Sequence, residues 1–100
     1  LPTLILDEID TGVSGEIANR MASIMATMSQ TMQLLSITHL PQIAAKGAHH
    51  IKVYKEDVNE VTQTRLKNLA EDERIVEIAQ MIGGNNLTDA AIANAKELLN

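Results

Sequence analysis

Asp7, Glu8 and Asp10 place three carboxylates within four residues, at the end of the short apolar run Thr3–Leu6. Acids this close repel one another, and the repulsion is relieved at a solvent-facing strand end, more so beside a divalent cation. One carboxylate is a sufficient protein ligand for Mg²⁺, which prefers oxygen donors and keeps several waters. A second, adjacent carboxylate can orient and deprotonate an attacking water. The acids equally fit a strand that merely ends in a solvated loop, and His39 separates the two readings. It follows a second apolar run, Leu34–Thr38, and at the end of a neighbouring strand it would lie beside Glu8, able to hydrogen-bond a phosphate.

These residues need two parallel strands to bring them together. Thr3–Leu6 is strand-length, Gly12 and Gly15 interrupt the pattern, and Ser14 is an N-cap candidate for a helix from about Gly15 to Thr31. Ile17, Met21, Ile24, Met25, Met28 and Met32 recur at helical spacing and predict one core-facing stripe, with methionine filling irregular gaps. Strand, helix and strand make a βαβ unit, whose parallel strands are expected to be covered on both faces. A short helix over Gln42–Lys46 should stop at Gly47. Residues 50–55 and 61–66 alternate as a hairpin, with the turn expected at 56–59 (EDVN). Two helices follow, over about Asp72–Ile82 and after the cap Thr88. Ile75, Ile78, Ala79 and Ile82 are expected inward on the first, and Ile92, Ala95, Leu98 and Leu99 on the second.

Composition narrows the function. Hydrophobic residues make up 45% of the 100, yet there is one Tyr and no Phe or Trp, so the core is aliphatic and single strands cannot be bound by base stacking. A net charge of −5 does not suggest a phosphate-binding surface, so any contact with DNA falls to parts not present here. No Cys is present, which excludes disulfides and thiolate zinc ligands and fits a reducing cytoplasm. No apolar run approaches the ~20 residues of a membrane span. The adjacent His49 and His50 would point to opposite faces of a strand and do not jointly chelate a metal.

An apolar strand ending in Asp-Glu matches the Walker B arrangement of P-loop ATPases. Together with "LILDEIDTGVSGEIA", "LSITHLPQIAAKGAHHIKV", "TQTRL" and "IAQMIGG", it resembles the ATP-binding-cassette ATPases of the SMC and Rad50 type, over nearly the whole chain. The likeness is strongest to a bacterial branch that repairs DNA double-strand breaks. Transporter ATPases usually carry Pro after the Asp-Glu pair, and Ile9 stands there instead. The resemblance implies an α/β fold: a partial P-loop lobe of parallel strands flanked by helices, with a C-terminal hairpin and two helices. It implies Asp7 as the magnesium residue, Glu8 as catalytic base, His39 as the switch histidine, and Asp10 to Ser14 as the D-loop meeting a second head in a homodimer. Gln42 would help position the switch loop. "TGVSG" departs from the Ala-Ala-Leu-Asp-like loop of typical SMC heads.

No G-x-x-x-x-G-K-[ST] phosphate loop occurs, nor a signature motif or coiled-coil heptads. "GVSGE" lacks the signature's second glycine and follows the acidic strand instead of preceding it, and "GGNN" lacks the Lys-Ser/Thr pair. The chain also begins inside a strand. It therefore reads as the C-terminal piece of an ATPase head in a bacterial, cytoplasmic, nucleoid-associated repair protein that uses ATP and Mg²⁺. By itself the piece should bind no nucleotide, hydrolyse none, and self-associate where the remainder of the head would cover it. The rival readings are a noncatalytic interaction or scaffold domain and a fragment of a transporter-type ATPase.

Overall fold

The computed structural model describes residues 2–8, 12–13, 15–84 and 86–100, so Asp10 and Ser14 lie outside the described residues. β1 (Thr3–Asp7) leads into α1 (Gly15–Met28), which returns the chain to β2 (Gln33–Ile37). α2 (Pro41–Lys46), the hairpin of β3 (Ile51–Val58) and β4 (Val61–Asn68), α3 (Glu71–Gly83) and α4 (Asp89–Leu99) follow. β1 and β2 pair in parallel, from Thr3 opposite Gln33 to Asp7 opposite Ile37, as the βαβ pattern predicts. β3 and β4 form a separate antiparallel pair.

α1 starts at Gly15, whose φ of +62° suits a residue without a side chain. It ends at Met28, short of the predicted Thr31. Ser29 Oγ donates to Ala26 O at 2.7 Å and Thr31 Oγ1 to Met28 O at 3.4 Å, and such local hydroxyl bonds compete with the helical ladder. The buried residues of α1 are Ala18, Ala22 and Met25. That face lies about a quarter-turn round the helix from the predicted stripe, so Ile17 and Ile24 are exposed. The parallel sheet departs from expectation in the same way. Leu4, Leu6 and Leu34 turn inward, whereas Ile5 is 64% and Ile37 53% exposed. Within the described residues only one face of the sheet is covered.

The hairpin turns at Asn59 and Glu60, not over 56–59. Both have positive φ, 52° and 66°, as in the type I′ turn that matches the twist of the flanking strands. Its apolar residues Ile51, Val53 and Leu66 face outward. Ion pairs Lys52–Glu77, at 2.8 Å, and Lys67–Glu73 join it to α3.

α3 begins where Glu73 Oε1 accepts from Ala70 N at 3.1 Å, and Thr88 Oγ1 caps α4 by accepting from Ala91 N at 3.1 Å. Ile78 and Ala79 of α3 are fully buried against Ala45, Ala91 and Ala95, with Ile92, Leu98 and Leu99 packed beside them. Ile82 is exposed instead of inward. Gly83 meets Ala91 so closely that a Cβ on it would lie 3.3 Å from that methyl; this contact leaves Ile82 on the flank. A second core holds Ala22, Met25 and Ile43, with Leu6, Met21, Leu34 and Leu40 against them. α2 contributes to both cores.

Candidate functional site

Parallel pairing brings the carboxyl ends of β1 and β2 to one edge. Asp7 closes β1 opposite Ile37, exposed to solvent. Glu8 extends the ladder by one bond, its N donating to Ile37 O at 2.9 Å. The Glu8 backbone then enters the left-handed region, at φ 51°. That conformation is uncommon for a residue with a side chain and is found at turns and functional sites. Just beyond the neighbouring strand Thr38 Oγ1 accepts from Leu40 N at 3.0 Å, a tight turn around His39 before Pro41 opens α2.

The two side chains meet: His39 Nε2 lies 2.5 Å from Glu8 Oε1. His39 is 86% exposed and Glu8 45%, so the pair faces solvent at the strand ends, where open α/β sheets bind ligands. An exposed pair of this kind adds little to stability, and its consequence is geometric. The carboxylate is oriented by the imidazole and stays accessible to water.

The other candidates distribute unevenly. Asp7 shares the edge with Glu8 and His39. Gln42 sits in the first turn of α2, and its Oε1 is buried with no hydrogen-bond partner among the described residues. Asp10 and Ser14 lie outside the described residues. Among the described residues no group of three or more His, Cys, Asp or Glu side chains converges as a metal cage, and no helix is long and apolar enough to cross a membrane. One polar residue had no signal in the sequence: Arg74, on α3, donates to main-chain carbonyls of α2 and the residue after it. Nothing about a single arginine in an amphipathic helix foretells a contact made about thirty residues away.

A parallel strand pair with an acid pair and a histidine at one edge, helices around it, and a hairpin with two helices after it is a partial α/β lobe with the fold of an SMC ATPase head. A solved structure described by the words "Structural biochemistry of ATP-driven dimerization and DNA stimulated activation of SMC ATPases" shares the fold at a TM-score of 0.69. The match covers 86% of this chain and 50% of that one, with 20% identity. No family model matches the chain. In sequence it is 40% identical over 99 residues to the DNA repair protein RecN of Haemophilus influenzae. It is 44% identical over 97 residues to RecN of Bacillus subtilis and 42% over 98 to RecN of Rickettsia conorii. The chain matches one segment of these RecN proteins: the matches cover 97–99% of it, and it spans about 18% of their length.

Proposed function

We propose that the chain supplies the hydrolysis-side residues of the nucleotide site in a DNA-repair ATPase of the RecN type. The observation that carries this reading is the contact between Glu8 and His39 at the open edge of the parallel sheet, 2.5 Å apart and accessible to solvent. The donor set fits a magnesium nucleotide: Asp7 offers a hard oxygen ligand at the strand end, and Mg²⁺ is commonly held by one or two carboxylates plus phosphates and water. When bound, the metal would neutralise charge on the phosphate oxygens.

Asp7 holds the cation's side of the site. Glu8 accepts the proton of the attacking water, its carboxylate oriented by His39. The exposed imidazole presents its hydrogen-bonding edge to the terminal phosphate. Gln42 lies one turn beyond and supports the His39 segment, and Asp10 and Ser14 belong to the loop that meets a second head. The phosphate loop, the signature motif and the DNA contacts come from other parts of the full-length protein.

Glu8→Gln and Asp7→Ala in the full-length protein test the assignment. Glu8→Gln keeps the shape and removes the proton acceptor, so turnover should fall by ~10²–10⁴-fold with nucleotide binding retained. Asp7→Ala should weaken magnesium-dependent nucleotide binding. Normal turnover in both variants would overturn the reading.

A further inference from the structure

Arg74 grips the end of the helix that begins just after His39. Its Nη2 lies 2.9 Å from Ala44 O, 3.1 Å from Ala45 O and 2.5 Å from Gly47 O. These carbonyls lie at the C-terminal end of α2, where helices leave acceptors without internal partners and where a cation is favoured. α2 is only six residues long, far below the length at which a helix persists by itself in water. It is held from outside: Ile43 in the core shared with α1, Ala45 in the core shared with α3 and α4, and Arg74 at the tail. Its other end is continuous with the switch segment. Leu40 is the N-cap residue, and Leu40 O accepts from Ala44 N at 3.1 Å.

We infer that Arg74 is a positioning residue for the Glu8–His39 pair, holding α2 against α3 so that the segment entering α2 presents His39 to Glu8. The inference rests on the catalytic reading of that pair. The lever is short, roughly 9 Å at 1.5 Å rise per residue. Release of its tail removes the polar restraint and leaves the helix held only by Ile43 in one core and by the small side chain of Ala45 in the other. Because hydrolysis depends on ångström-level placement, a displacement of about 1 Å costs up to ~10²-fold in rate.

The test uses the full-length protein with Arg74→Ala, Arg74→Lys and, as a control for general loosening, Thr88→Ala. Thr88 caps α4 through the Ala91 amide and takes no part in the Arg74 bonds to the carbonyls of α2. Arg74→Ala should lower kcat by ~10–100-fold with little change in KM for ATP, Arg74→Lys should restore part of it, and Thr88→Ala should lower the melting temperature alone. In nucleotide-free protein the His39 ring resonance, assigned by its displacement in Glu8→Gln, should move in Arg74→Ala and stay fixed in Thr88→Ala. Combined with His39→Ala, Arg74→Ala should cause no further loss of kcat. A fully multiplicative double variant, or a His39 resonance unmoved by Arg74→Ala, would overturn the inference. If His39→Ala alone left kcat unchanged, the catalytic reading itself would fail, and that result is separate from the other two.

Discussion

Ile43 and Ala45 stand two residues apart on α2 and are buried in different cores, Ile43 with Ala22 and Met25, Ala45 with Ile78, Ala79, Ala91 and Ala95. A single short helix therefore joins the β1–α1–β2 unit to α3 and α4.

Truncation at the first of these positions should be felt throughout. Ile43 is 6% exposed, and Ile43→Ala should cost ~2–5 kcal/mol by lost burial and the cavity left behind. Denaturant titration of the wild type and variant measures it. A loss no larger than that of an exposed site such as Ile17→Ala would show that Ile43 does not bridge the two halves.

The hairpin turn carries strain that one substitution relieves. Glu60 has φ 66°, a conformation that costs a residue with a Cβ and that glycine adopts freely. Glu60→Gly should raise stability by roughly 0.5–1 kcal/mol, and Glu60→Val should lower it. Equal melting temperatures for the two variants would contradict the assigned turn.

His50 makes stability depend on pH. Burial is the main cause that holds its pKa below the ordinary 6.5, with Arg74 and Lys52 adding to it and Glu77 opposing; its Nδ1 is buried without a partner among the described residues. A histidine depressed in the folded state stays neutral there while the unfolded chain takes up a proton. Its effect is absent well above pH 6.5, and it destabilises the fold progressively as pH falls below that value. His50→Gln should flatten the decline in melting temperature between about pH 6.5 and 5. An unchanged pH profile would mean that His50 does not contribute.

As an isolated chain, these 100 residues should turn over no ATP, because nothing in them cradles the β- and γ-phosphates. They should also self-associate through the apolar sheet face of Ile5, Leu35 and Ile37, each exposed. Light scattering across a concentration series, with Ile5→Lys and Leu35→Lys as comparisons, reads this out. A monomeric mass at high concentration, or saturable hydrolysis lost in Glu8→Ala, would contradict these expectations.

Local chemistry was legible in the residues themselves. An apolar run with acids at its end, a helix-spaced segment and a second apolar run form the pattern of a βαβ unit, whose helical crossover is the usual connection between parallel strands. That was enough to foresee Glu8 and His39 at one edge. Gly47, Thr88 and the glycine after α3 likewise announce their helix ends by backbone and capping chemistry that acts over three or four residues. Which apolar residues are buried was decided elsewhere. Ile17, Ile24, Ile51 and Val53 have the periodicity of core residues and stand exposed, because periodicity shows that an element has an apolar side and not which neighbour meets it. The alanine core of α3 and α4, the sharing of α2 between two cores, and the Arg74 contact with three carbonyls all depend on distances between segments far apart in the chain. Those distances follow from how closely whole elements pack, a property of the assembled fold that no local pattern encodes.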